Sequence, residues 1–385
     1  MKKNFLQTMK HSAVPNYIFF VLLGLVFVSF QLMSNAGSDI FGVSLMRGVG
    51  TFMIATIVAL GLYVLLGLGG LASLGTAGFV GLGAYLTGYL IDETNIPFFT
   101  VLLICIAVGI VIGIIVGFLS LRVSGMYLAI ITLGLSEIFV QLFKNLTQFT
   151  DFPDGGIRLS KYPSLFFGLI QMDRETYRST ILIIIAIAFV MLLALAFNIS
   201  RSPIGRSMLA MKNSESAAQS NGVNLLSYRL LAFIVSTVFA MIGGFLYMNY
   251  WRFTGPLEWS IMYSLQILAI VIIGGTKSIW GFLTGAFFIF GLNEIVFAKI
   301  PFFINNPTVV PMINGLIMIL VVLYYPGGIS QLYIELGYKI RNKPKGFIPF
   351  WKSVGLDFIN FFKKSGLWFV ALYRRFIAIF SKKEG

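Results

Sequence analysis

Ten apolar runs, most of them about as long as a helix that crosses a bilayer, leave this chain few ways to fold. They lie at 17–33, 49–67, 74–91, 98–120, 126–143, 180–199, 230–250, 263–275, 279–297 and 309–325. A hydrocarbon layer about 30 Å thick asks about 17 to 25 residues of a helix. The eighth run is short and the third is rich in glycine. With 58% of the 385 residues hydrophobic and 11% charged, the chain carries more apolar surface than a soluble core of this size can hide. The predicted fold class is therefore all-α, a polytopic helical membrane protein with about ten transmembrane helices.

Charge sets the predicted orientation. Lys2, Lys3 and Lys10 put the N-terminus inside, because basic residues collect on the cytoplasmic face of a membrane protein. Alternating the runs from there also places Arg122, Arg201, Arg206, Lys212, Arg229, Lys277 and eleven basic residues after Pro326 inside, 20 of the 28 in all. Asp39, Asp92, Glu93, Asp151, Asp154, Asp173, Glu175 and Glu258 fall outside. Both termini are then cytoplasmic and the chain belongs in a cell membrane. The net charge of +14 reads as topology and lipid contact, not as a nucleic-acid surface. The first run has a competing reading as a secretory signal peptide, with Ser34-Asn35-Ala36 as its cleavage-like site.

One transmembrane domain is expected over 1–330, with a basic, aromatic tail over 331–385. Besides the tail, the longest stretches outside the runs are 144–179 on the outside and 200–229 on the inside. The outer one contains Asp151-Phe152-Pro153-Asp154-Gly155-Gly156, where proline and paired glycine end any helix. In the tail, Trp351 to Phe380 mixes aromatic and basic side chains, which suits a helix lying in the headgroup layer or a solvated basic segment. With a single cysteine, Cys105, and a single histidine, His11, neither a disulfide framework nor a His/Cys metal site is expected, and no cofactor.

Candidate functional residues fall in three places. In the inner loop, Ser202-Pro203 has the form of a helix start, with a side-chain acceptor followed by a pre-set φ, and Gly222 that of a helix stop. The helix predicted between them offers Arg206, Lys212 and Glu215 for polar contacts and Met208, Leu209, Met211, Ala217 and Ala218 for packing. Such a helix seats in a groove on a soluble partner, or is simply a solvated connection. The second place is the third run, with Gly67, Gly69, Gly70, Gly75, Gly78, Gly81, Gly83 and Gly88. Glycine there permits close helix packing or an unwound backbone beside a water-filled path. The third is a pair of acids within apolar runs, Glu137 and Glu294, which need partners at membrane depth. Glu137 has readings as a ligand-orienting group, as a protonated acid, or as a partner of Ser136 or a neighbouring helix.

The inner loop resembles the cytoplasmic coupling loop of the branched-chain amino acid ABC transporter permease family, at Ser202-Pro203, Gly205-Arg206, Glu215, Ala217-Ala218, Gly222 and Tyr228-Arg229-Leu230. Three further stretches resemble the same family in the same order: GLGGLASLGTAGFVGLGAY from Gly67, LRVSGMYLAIITLGLSEI from Leu121 and IVIIGGTKSIWGFLTG from Ile270. Thr76 departs from the family, which commonly has histidine there, and the departure bears on the substrate more than on the family. The resemblance implies a permease subunit of an importer for branched-chain or other hydrophobic amino acids. Its implied partners are a second permease subunit, identical or different, two cytoplasmic ATPase subunits and an external substrate-binding protein.

By the same resemblance, Ser202, Pro203, Gly205, Arg206, Glu215, Ala218 and Gly222 couple to the ATPases. Gly75, Thr76, Gly78, Gly81 and Glu137 are assigned to the translocation pathway. The chain is expected to be no enzyme: Gly274-Gly275-Thr276-Lys277-Ser278 lacks the spacing of a phosphate-binding loop. Related importers carry nucleosides, simple sugars or short amides such as urea, and these remain alternative substrates. An ion-coupled secondary transporter is the alternative from another class, and it predicts two matching halves.

Overall fold

A computed structural model of the chain describes residues 14–35, 43–94, 96–123, 125–145, 152, 154–164, 174–275, 279–292, 297, 300–306, 309–324 and 327–331. The basic tail, His11, Glu294 and 276–278 lie outside these residues. The helices are α1 (Val14–Asn35), α2 (Val43–Leu62), α3 (Thr76–Thr94), α4 (Phe98–Arg122), α5 (Met126–Asn145), α6 (Arg174–Arg201), α7 (Pro203–Asn213) and α8 (Glu215–Ser220). They continue with α9 (Leu225–Trp251), α10 (Ile261–Gly274), α11 (Ile279–Ala286), α12 (Pro301–Asn305) and α13 (Val309–Tyr324). Helices dominate because a backbone surrounded by lipid has to satisfy its own amides and carbonyls. Among the described residues the strands are two short ones, β1 (Ile157–Arg158) and β2 (Phe253–Thr254). They pair antiparallel with Ile157 opposite Thr254.

Among the described residues, five helical stretches are long and apolar enough to cross a membrane: Gly48–Leu68, Phe98–Leu121, Met126–Asn145, Ser179–Arg201 and Leu225–Trp251. Parts of α1, α10, α11 and α13 form shorter apolar helices. With 14 residues, α10 rises only about 21 Å. The glycine-rich α3 belongs to neither group.

α9 is the hub of the bundle, and its neighbours approach it at glycine. On α4, Gly109, Gly113 and Gly117 recur every fourth residue and face Val238, Ile234 and Leu230 in turn. A Cβ on Gly113 would stand 2.6 Å from the Ile234 Cα. Small-residue stripes of this kind let helices associate where lipid removes the hydrophobic drive. The Thr237 hydroxyl seals the contact by donating to the Gly109 carbonyl at 2.8 Å. On its other sides α9 meets α3, where Gly83 faces Met241, and α2, where Gly61 faces Ser236.

Two sequence expectations need correction. The third run was placed from 74, but helix begins only at Thr76. α2 ends in a π-helical turn, Tyr63–Leu68, and residues 69–75 that follow are not helical. The predicted single helix between Ser202 and Gly222 is two helices, α7 and α8. Ser214 is extended (φ −161°, ψ 113°); its amide donates to Ala210 O, closing α7, while its hydroxyl accepts from the Ala217 amide, opening α8.

The 144–179 segment turns where the Asp154-Gly155-Gly156 run predicts. Gly155 N donates to Phe152 O at 2.9 Å and Phe152 N to Gly156 O at 3.2 Å. Asp92, at the end of α3, holds the next segment by accepting from the Ser160 and Lys161 amides.

Candidate functional site

The polar element between α6 and α9 is built by short-range capping. Ser202 Oγ accepts from the Gly205 amide at 3.2 Å, with Pro203 at the first helical position. Gly205 is buried, and a Cβ there would collide with the carbonyls of Ile199 and Ser200, so it folds α7 back against the end of α6. Gly222 adopts φ +79° with nothing near its Cβ position. Its requirement is the left-handed turn itself. Asn224 then accepts from the Leu226 and Ser227 amides and starts α9.

One face of the element is turned in and the other out. Met208, Met211 and Ala218 are buried. Pro203, Arg206, Leu209, Ala217 and Glu215 are exposed, so of the five residues expected to pack, Met208, Met211 and Ala218 do and Leu209 and Ala217 do not.

Two polar links bind this element to the bundle. Glu215 pairs with Arg229 on α9, whose side chain is 7% exposed. Arg229 also donates to the Ser120 carbonyl near the end of α4 at 3.1 Å. Glu215 therefore ties α8 to two spans. On α7, Lys212 Nζ donates to the Gly67 carbonyl at 2.9 Å, and its stem lies over Gly70, itself at φ +71°. A cation at a frayed helix C-terminus answers the carbonyls left open there. Partial burial pushes the Lys212 ammonium below its ordinary range.

Lys212 thus reaches the second candidate region, the unwound segment that leads into α3. Its backbone amides are met by hydroxyls from distant helices. Thr132 Oγ1 on α5 accepts from Leu74 N at 3.0 Å, and Ser136 Oγ, one turn on, accepts from Gly78 N at 2.9 Å. Ser264 Oγ on α10 accepts from Ala77 N at 2.9 Å. Gly75 and Gly78 make this approach fit, since a Cβ would stand 2.6 Å from Thr132 O and 2.7 Å from the Ser136 Cα respectively. Gly81 packs on Trp259 and Phe143, and Thr76 is buried.

Of the pathway residues expected from sequence, the structure brings Gly75, Gly78 and Gly81 against α5, with Thr76 buried between the first two in sequence. Glu137 is not among them. It is exposed on the opposite side of α5 and accepts from Gln141 Nε2 at 2.9 Å, so Ser136 is not its partner. Gly134 nearby has open space around it. The acid stands on a face of α5 that no part of the described chain covers.

Sequence reasoning missed the hydroxyls of Thr132, Ser136 and Ser264 and the anchoring by Arg229 and Lys212. Thr132 and Ser136 do carry a signal, two hydroxyls one helical turn apart within an apolar run. Among the described residues no three His, Cys, Asp or Glu side chains gather to hold a metal.

Residues 44–322 match the family described as "Branched-chain amino acid transport system / permease component". The high-affinity branched-chain amino acid transport system permease proteins LivM of Salmonella typhimurium and Escherichia coli are 31% and 30% identical over 342 and 341 residues. Each alignment covers 83% of this chain and 76% of the relative. The autoinducer 2 import system permease protein LsrC of Photorhabdus laumondii is 28% identical over 141 residues, 35% of this chain and 41% of the relative. No solved structure matches the chain significantly.

Proposed function

Because the chain belongs to the family of branched-chain amino acid transport permease components, we propose that it is the membrane subunit of an ABC importer for branched-chain or related hydrophobic amino acids. Membership makes it a multi-pass helical protein of the cell membrane, and a transport subunit rather than an enzyme. In the proposed assembly it pairs with a second permease subunit, receives substrate from an external binding protein and is driven by two cytoplasmic ATPases. Its ten spans leave both termini and the α7–α8 element inside.

The observation that carries this mechanism is the bond from Lys212 to Gly67. It joins the exposed α7–α8 element to the point where α2 unwinds, a few residues before the hydroxyl-held segment of Gly75 and Gly78. A stroke delivered to the outer face of α7, at Pro203, Arg206 and Leu209, is passed through Lys212 to that segment. Alternating access then consists of exchanging the hydroxyl contacts of Thr132, Ser136 and Ser264 as the segment shifts.

Glu137 supports the pairing. An ionisable side chain on a lipid-facing surface is costly, and its place on the uncovered face of α5 suits a boundary with the second permease subunit and the path between them.

Lys212→Met tests the coupling, since it keeps the stem over Gly70 and removes the donor. In proteoliposomes holding the complete transporter, ATP hydrolysis should persist while uptake falls at least about tenfold, the factor a lost charged hydrogen bond implies. Uptake equal to the parent would remove Lys212 from the mechanism. Glu137→Gln is expected to lower uptake while leaving capture by the binding protein unchanged.

A further inference from the structure

The pair formed by α1 and α6 lies on a different side of the bundle from Glu137, since α6 packs on α1, α2 and α9 whereas α5 packs on α3 and α10. The pair keeps an open side. Val21, Leu25, Ile187 and Met191 are exposed there, and between them runs an apolar groove of about 210 Å³. Gly24 is its floor: a Cβ at that position would stand 2.6 Å from Val190 Cγ2. Every described residue lining the groove is apolar. It follows α1 from Val21 to Val28, about 10 Å of helix. Its volume is below the roughly 300 Å³ at which small-molecule pockets begin. A length of hydrocarbon chain suits it better.

Toward the start of α1 and the end of α6 the same seam turns polar. Tyr17 Oη donates to Asn198 Oδ1, and the Arg201 guanidinium lies 4.9 Å from the centre of the Phe197 ring. Asn198 and Arg201 are exposed, and among the described residues Arg201 has no acid partner. Ile187, Met191, Asn198 and Arg201 share one face of α6 by their helical spacing, as Tyr17, Val21, Gly24 and Val28 do on α1. Arg201 therefore stands in line with the groove. Met191 is ten residues away, about 15 Å along the axis, which is half of a hydrocarbon layer about 30 Å thick.

We propose that this seam binds an anionic phospholipid of the inner leaflet, with its phosphate on Arg201 and Asn198 and the end of one acyl chain over Gly24. Phosphate accepts well from guanidinium and amide N–H groups, and the negative surface of the inner leaflet supplies the complementary charge. A partner helix is the poorer occupant. It would cover the groove but leave Arg201 unanswered, and the second permease subunit is already placed at α5. The polar end adjoins Ser202, the cap of α7, so the lipid sits at the root of the α7–α8 element. From the importer reading the proposal takes only the orientation that puts this end inside.

The test is a lipid titration of the complete transporter in detergent, read by native mass spectrometry, with dioleoyl phosphatidylglycerol and dioleoyl phosphatidylcholine as probes. The parent should hold phosphatidylglycerol about fivefold more tightly, the factor that one basic residue at an anionic surface implies. Arg201→Gln should abolish that preference. Met191→Trp, which fills the groove from its exposed rim, should weaken both lipids, with thermal unfolding as the control for folding. Glycerol phosphate should not compete.

Equal affinity of the parent for the two lipids, or an unchanged preference in Arg201→Gln, would overturn the headgroup seat. Unchanged phosphatidylglycerol affinity in Met191→Trp would overturn the groove as the seat of the chain. Competition by glycerol phosphate would replace the lipid with a free phosphate ester, and a cross-link from Leu25→Cys to another subunit would replace it with a protein helix. Each result is read whether or not the complex imports an amino acid, so the importer reading stands or falls separately.

Discussion

The helices of this chain break in two places that touch each other, and the breaks are closed by opposite means. Around Ser202, Ser214 and Asn224 the chain is in reach of water, and at each helix start a free amide is met by a side chain within three residues. Around Leu74 to Gly78 the chain is buried, and most of the acceptors come from helices 58 to 187 residues away in sequence. Water stands in for a failed cap in the first place and is absent in the second. The exposed break is therefore a set of independent local motifs, whereas the buried one exists only when three spans are assembled.

The sharpest way to break this contrast is Gly205→Ala, because Gly205 is the point of the exposed break that is sterically closed. Overpacking against the Ile199 and Ser200 carbonyls should cost about 3 kcal/mol, read as a fall in the thermal unfolding of the detergent-solubilised chain. A loss below a third of that would mean that α7 rides free of α6. Next comes Ser136→Ala, which strands the Gly78 amide in the interior at a cost of about 2 kcal/mol.

Its counterpart, Ser214→Ala, removes a cap at a solvated joint and should cost about 1 kcal/mol. If the two serine substitutions cost the same, burial does not set the value of a cap here. Smallest is Gly134→Ala, on the open side of α5, where helix propensity alone predicts a gain of about 0.5 kcal/mol in the isolated subunit. A loss of assembly with the second subunit in the same variant would show that a partner helix sits against that glycine.

The same contrast explains what the residues disclosed in advance. Ser202-Pro203 and Gly222 could be read because a cap and its acceptor sit within one turn, so sequence neighbours are spatial neighbours. Ser214 escaped notice for a related reason: one serine both closes α7 and opens α8, and only the backbone reveals an extended residue inside a helical pattern. The spans around α4, α5, α6 and α9 were legible from length and hydropathy.

The unwound run before Thr76 was not legible. A glycine-rich segment reads alike whether it packs as helix or comes apart, and the deciding hydroxyls lie on α5 and α10. The role of Arg229 was hidden too, since a basic residue at the start of an apolar run normally reports orientation alone. Here it is buried between Glu215 and the Ser120 carbonyl.

Ser214 makes the inner element a jointed piece with two separate moorings. α8 is clamped through Glu215 to the α4–α9 pair, while α7 hangs from Lys212 on the frayed end of α2. A push along α7 can be spent in flexing that knuckle instead of swinging the whole bundle. On the proposed coupling, torque from the ATPases would then reach the segment ahead of α3 and spare its scaffold.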